Sequence, residues 1–94
     1  MLEFLSTNGT RNTFMNKYIT KFISLCPVNN KPISYSLEIK HSDKIFVEEI
    51  LEEVKKFTAL FHEEIADELF LKFGGKQTLT ANHHGVFIQT ERKL

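Results

Sequence analysis

From Tyr18 to Leu25 the chain reads YITKFISL, in which Tyr18, Thr20, Phe22 and Ser24 alternate with Ile19, Lys21, Ile23 and Leu25. Period-two alternation in a segment rich in aromatic and β-branched residues predicts a strand. CPVNNKP then breaks the pattern with two prolines and two asparagines. After Pro32, ISYSLEIK sets Ile33, Tyr35, Leu37 and Ile39 against Ser34, Ser36, Glu38 and Lys40, the clearest alternation in the sequence. Two such strands flanking a turn-forming break predict a hairpin.

The period then changes. In DKIFVEEILEEVKKF, Phe46, Val47, Ile50, Leu51, Val54 and Phe57 recur at spacings of three and four, which predicts an amphipathic helix with Ser42 as its N-cap. Glu48, Glu49, Glu52 and Glu53 precede Lys55 and Lys56, an order that suits the helix dipole, and Glu52 is placed to pair with Lys56. That charge run reads as a solvated face. A second helical pattern, ALFHEEIADELFLKF, brings Phe61, Ile65, Leu69 and Phe73 into register, with Thr58 as a candidate cap and Gly74-Gly75 as the stop. Beyond the glycines, KQTLTAN and VFIQTER predict two short strands joined by the tight turn NHHG.

The predicted order is β-β-α-α-β-β, an α+β domain in which both helices cover one face of an antiparallel sheet. Residues Met1 to Asn12 lack sustained periodicity, so 1–17 is expected to form an arm and 18–94 a single domain. Ninety-four residues cannot support two cores, since a chain of this size buries only about 60–65% of its unfolded surface. Nine phenylalanines with no tryptophan, and apolar side chains on both sides of the strands (Tyr35, Leu37, Ile39, Val86, Phe87, Ile88), predict self-association through the sheet.

Charge narrows the range of partners. Twelve basic residues balance twelve acidic ones, which disfavours a polyanion as a general partner. One cysteine excludes an intramolecular disulfide, and MLEFLSTNGTRNTF has neither the basic start nor the apolar run of a signal peptide, so a reducing, cytoplasmic setting is expected. No apolar run approaches the roughly 20 residues that span a bilayer, and no membrane association is expected.

Three places carry candidate chemistry. Cys26 ends a strand at a break beside Pro27. A lone cysteine is most often inert packing, but a thiol at such a break can also look into a cleft. In FHEE, His62 and Glu63 point away from the apolar side of the helix, either as a solvated face or with Glu63 accepting paired N–H bonds from a guanine-like edge. In NHHG, His83 and His84 read first as polar hairpin residues. With Cys26 they also make an alternative metal set, at a spacing that matches no local zinc motif. Glu48 is a further carboxylate able to meet a ligand. The chain has no phosphate-binding glycine loop and no Ser-His-Asp cue.

These elements and motifs together resemble the tunnelling fold, in which such subunits associate into barrels and bind purine- or pterin-like rings at subunit boundaries. FISLCPVNNKP resembles the strand-end motif of the 7-cyano-7-deazaguanine reductase (QueF-like) family, and FVEE and FHEE resemble that family's Val-Glu and Phe-His-Glu stretches. The resemblance runs from about Lys21 to Thr90. It implies that Cys26 adds to the nitrile carbon of a 7-deazaguanine-type base as a covalent thioimide, that Glu63 holds the guanine-like face, that His62 orients the ligand or moves a proton, and that Glu48 assists recognition. It also implies a homo-oligomer with sites at subunit interfaces and a role in queuosine synthesis.

The chain departs from the reductases at Ile33, where they carry a proton-donating Asp. It also lacks their long stretch between the helices and their late Arg-Gly-Gly turn, both tied to NADPH, which weakens the case for NADPH as cofactor; the nitrile reductase is still the first reading, with NADPH-free amidation of the same nitrile as the alternative. A short archaeosine-forming branch shares the Cys and His-Glu features and lacks the NADPH stretch, though it too keeps the Asp that is Ile33 here, and it adds ammonia to the nitrile of a base already in tRNA. Nucleic acid would be a partner only in that case. Type IB GTP cyclohydrolases have a related SLCP turn but place a second Cys, a metal ligand, where Val28 stands here, so no metal is favoured. A non-catalytic ring-binding subunit is the alternative outside the enzymes.

Overall fold

The computed structural model describes residues 15–94, and most of the expected arm lies outside them. Six elements follow one another: β1 (Asn16–Leu25), β2 (Pro32–His41), α1 (Val47–Val54), α2 (His62–Phe73), β3 (Lys76–His83) and β4 (Val86–Arg92). The four strands form one antiparallel sheet in the order β1-β2-β3-β4. The sequence order is therefore also the spatial order, and the helices enter where the chain must pass from the far end of β2 to the start of β3.

The alternation in β2 decides which face is covered. Ile33, Tyr35, Leu37 and Ile39 are all buried. Register extends that face to Tyr18, Thr20, Phe22 and Ser24 of β1 and to Leu79 and Ala81 of β3. Ile50 and Val54 of α1 and Ile65, Ala66, Leu69 and Phe73 of α2 close over it. Both helices lie on one face, as the strand pattern requires. The three apolar residues of β2 expected to face a partner are thus inside the core, whereas Ile19, Ile23 and Phe87 do stand on the open face, 63%, 67% and 75% exposed.

Both helices begin later than their apolar patterns suggest. Phe46, not Ser42, is the N-cap of α1, and Phe61, not Thr58, that of α2. Neither phenylalanine caps with its side chain; the Glu64 carboxylate instead accepts the Phe61 backbone N–H at 2.9 Å. Because α1 ends at Val54, Lys56 falls beyond the helix and pairs with Glu53 at 3.2 Å rather than with Glu52. Glu53 is consequently buried, an exception to the solvated charge face. α2 stops at Gly74 and Gly75, with φ of 67° and 72°. A Cβ on Gly75 would sit 2.4 Å from the Lys40 carbonyl oxygen, so this close return to β2 requires glycine.

Among the described residues, no helix is long and apolar enough to cross a membrane.

Candidate functional site

Cys26 follows β1 directly and opens a closed turn. Its N–H donates to the Lys31 carbonyl at 2.8 Å, and its own carbonyl accepts the Asn30 N–H at 2.8 Å. Asn30 takes the left-handed conformation, φ 63°, which asparagine tolerates better than most residues. Within the turn the Asn29 Oδ1 accepts the Lys31 N–H at 3.0 Å, fixing which side of that amide is oxygen. The turn buries the cysteine to 8% exposure, at the rim of the core beside Ile33.

The antiparallel register brings a second turn to the same end of the sheet. Tyr35 pairs with Ala81, so the start of β2 lies beside the end of β3 and the His83–Val86 hairpin rises next to the Cys26 turn. The Asn82 Oδ1 accepts the Gly85 N–H at 2.7 Å and ties this hairpin down, with His84 at φ 56°. Asn29 Nδ2 lies 3.0 Å from His84 Nε2 and joins the two turns. Hydrogen bonding with the His84 ring, and then with the Asn29 and Val28 backbone N–H groups, holds the Cys26 thiol below its ordinary range against the opposing effect of burial. A thiolate favoured in this way is the nucleophilic form of the residue.

Consecutive histidines turn apart. His84 faces Asn29 while His83 turns under the sheet's covered side, its Nε2 3.2 Å from His62 Nδ1. His62 is 2% exposed, and its Nε2 donates to the Leu79 carbonyl at 3.1 Å. Burial above all lowers the His62 pKa. Tyr35 packs between these groups, its ring 5.5 Å from that of His62 and 5.9 Å edge-on from that of His83. Its hydroxyl is buried without a hydrogen-bond partner, and burial, then the charges of Cys26 and Glu63, raise its pKa.

Cys26, His62, Glu63, His83 and His84 therefore gather at one end of the sheet, with Tyr35 among them. Glu63 stands exposed on the first turn of α2. Glu48 does not join the group within one chain. It begins α1 near the opposite end, where the Tyr18 hydroxyl accepts the Ile45 N–H at 3.0 Å, and it borders a depression shared with Glu52, Lys56 and Lys72. His41 is at that far end too, its Nδ1 accepting the Asp43 N–H at 2.9 Å. Among the described residues no three His, Cys, Asp or Glu side chains are grouped as metal ligands. Two participants escaped the sequence reading, Asn29 and Tyr35 as a site residue, while His84 was joined to Cys26 only as part of an alternative metal set. The signal for them is the strand register, which periodicity does not supply.

No protein-family model matches the chain, and a search of curated proteins returns no match. A search of solved structures finds the crystal structure of the archaeosine synthase QueF-Like in the apo form, with a TM-score of 0.72 at 20% sequence identity, covering 84% of this chain and 91% of that one. The chain has the tunnelling fold. In a tunnelling-fold chain the β1–β2 turn and the β3–β4 hairpin lie at one end of the sheet, which is the end that here carries the thiol.

Proposed function

We propose that this protein acts on the nitrile of a 7-deazaguanine-type base through Cys26, and that ammonia rather than hydride completes the reaction. The observation that carries this reading is the setting of Cys26. Its thiol is held low by His84 and two backbone N–H groups, beside the unpartnered Tyr35 hydroxyl and near the Glu63 carboxylate. The fold shared with an archaeosine synthase supports the choice of substrate class.

In this reading the Cys26 thiolate adds to the nitrile carbon, an S–C bond forms, and one C–N π pair moves to nitrogen, which takes a proton from solvent. Ammonia then adds to the thioimide carbon and the thiolate leaves, giving an amidine. Covalent capture divides one difficult addition into two easier ones. The Glu63 carboxylate accepts the ring N–H and exocyclic amine of the base as a charge-assisted pair. His62, with both nitrogens engaged, acts through His83 rather than on the substrate directly.

The residues present do not fit NADPH. The link between the helices, Lys55 to Phe61, has only Lys55 and Lys56 to offer a dinucleotide phosphate, and these face Glu52 at 3.7 Å and Glu53 at 3.2 Å. The reductase version of the chemistry is therefore the second choice.

Incubation with 7-cyano-7-deazaguanine, free and in tRNA, followed by intact-mass measurement should show an adduct on the wild type and none on Cys26→Ala. Ammonium should discharge it and NADPH should not. No adduct at a concentration where the base demonstrably binds sinks the nucleophile, and binding unaffected by Cys26→Ala then points to a non-catalytic subunit. Discharge by NADPH alone would make the protein a reductase.

A further inference from the structure

The backbone around Cys26 has few hydrogen-bond donors to spare. The Leu25 N–H donates to the Thr58 carbonyl at 2.9 Å, the Cys26 N–H to the Lys31 carbonyl and the Asn30 N–H to the Cys26 carbonyl. The Lys31 N–H is held by Asn29 Oδ1, those of Val28 and Asn29 serve the thiol itself, and Pro27 and Pro32 have none. Ile33 brings no polar side chain to the position where the resembling reductases carry an acid.

Buried side chains elsewhere are satisfied. Glu53 pairs with Lys56, His62 donates to the Leu79 carbonyl, and Gln77 donates to those of Leu69 and Gly74. Among the described residues, Ser24 Oγ and the Tyr35 hydroxyl are the two buried side-chain polar atoms without a partner. Both stand on the covered face at the end of the sheet that carries the thiol. Ser24 is two residues before Cys26, and Tyr35 is in register with Phe22, two residues before Ser24. That offset makes Ser24 and Tyr35 diagonal neighbours on adjoining strands, about 7–8 Å apart. An unpaired buried hydroxyl opposes folding, so two at one place point to an acceptor that arrives with a ligand.

We propose that the Ser24 and Tyr35 hydroxyls are the hydrogen-bond donors that receive the nitrile nitrogen as Cys26 adds to the nitrile carbon. Relative depth supports this order. Glu63 is exposed at the start of α2, Cys26 lies at the rim of the core, and Ser24 and Tyr35 are more deeply buried still. A base held at Glu63 with its substituent on the thiol turns the far atom of that substituent inward. A nitrile is linear and slender, and its nitrogen accepts hydrogen bonds but donates none. Addition forms the S–C bond and moves one C–N π pair to the nitrogen, where two hydroxyl donors stabilise the developing charge. The hydroxyls keep their protons, and the nitrogen takes its own from solvent. These roles rest on the nitrile chemistry proposed above and name the groups that let the adduct form.

Intact-mass sampling of the full chain mixed with 7-cyano-7-deazaguanine gives the rate of adduct formation on Cys26. At saturating base, Ser24→Ala and Tyr35→Phe should each slow it by roughly a hundredfold. Both variants should bind 7-deazaguanine, which has no nitrile, as tightly as wild type in calorimetry. Iodoacetamide, which has no nitrile, should alkylate Cys26 in both at close to the wild-type rate. Adduct formation at the wild-type rate in one variant strikes out that hydroxyl, and in both it overturns the proposal. Loss of 7-deazaguanine binding in step with the rate also overturns it, since the hydroxyls would then shape the pocket and not serve the nitrile. Should one variant fail to fold, the other decides. A wild type that binds the base and forms no adduct removes the nitrile chemistry and these roles with it, whereas an adduct indifferent to both hydroxyls removes these roles alone.

Discussion

His62 Nδ1 lies 3.2 Å from His83 Nε2, and because His62 spends its Nε2 proton on the Leu79 carbonyl, the hydrogen in the contact between the two histidines belongs to His83. This order holds only while His62 is neutral, and burial lowers its pKa accordingly. Folding must therefore exclude a proton that the unfolded chain binds below about pH 6.5. Between the depressed folded value and about 6.5 the unfolded state holds more protons, so stability falls as the pH drops through that window. For a single group the slope is at most about 1.4 kcal/mol per pH unit. Urea melts at pH 7.5 and 5.5 should show the loss, and His62→Gln, which retains a donor for Leu79 but does not titrate, should flatten it. An equal slope in wild type and variant would assign the effect to other groups.

Tyr35 carries a buried hydroxyl with no partner while its ring stacks on Phe22 at 5.2 Å. An unsatisfied buried hydroxyl is a net cost, so Tyr35→Phe should stabilise the free protein by about 1 kcal/mol, read as a melting temperature higher by about 4–8 °C. If that hydroxyl is kept for a ligand, the same substitution should weaken binding of 7-cyano-7-deazaguanine about tenfold in calorimetry. A gain in stability with unchanged binding would separate the hydroxyl from the ligand, and a loss of stability would mean that it already has a partner.

The fold was legible because its two periods are clean. β2 buries every second residue from Ile33 to Ile39, and β4 spans the same residues, Val86–Arg92, that the pattern marks. Helix starts were less legible. Phe46 and Phe61 fit the apolar spacing but are the N-caps, 57% and 51% exposed, because spacing cannot tell a residue in the first turn from one just before it. The site was half legible. Cys26, His62 and Glu63 are marked by motif, whereas Asn29 and His84, 55 positions apart, meet only through the register of β2 on β3. A strand shifted by two residues would show the same alternation and lose that contact.

Gln77, in the interior of the sheet edge that receives α2, donates its one amide to two carbonyls, Leu69 at 3.0 Å and Gly74 at 2.7 Å. Gly74 lies past the helix end, where carbonyls have no partner within the helix, whereas the Leu69 carbonyl already sits within the ladder that ends with the Gly74 N–H on Phe70. The side chain is 3% exposed, so no water replaces it. Gln77→Leu keeps the bulk but leaves the Gly74 oxygen without its donor, and should cost about 1 kcal/mol in denaturant melts. Hydrogen exchange should quicken first at the amides of the last turn of α2. A cost below about 0.5 kcal/mol would mean that the helix end finds other partners by relaxing.

Ile33 occupies the position at which the resembling reductases carry their acid, and in this chain it is 2% exposed, packed in the core with Cys26. A carboxylate placed there by Ile33→Asp has no donor prepared for it and lies beside a thiol already held toward its anionic form. The substitution should destabilise the fold by about 3–4 kcal/mol, a melting temperature lower by more than about 10 °C, against about 1 kcal/mol for the Ile33→Val control. The added negative charge should also slow alkylation of Cys26 at pH 7, since like charges close together disfavour ionisation of both. Under these conditions the acid does not rescue a proton-transfer step, and the amidating reaction should be no faster. An Ile33→Asp protein as stable as wild type, with faster turnover of the nitrile, would show instead that the pocket reaches position 33 and that the chain merely lacks its acid.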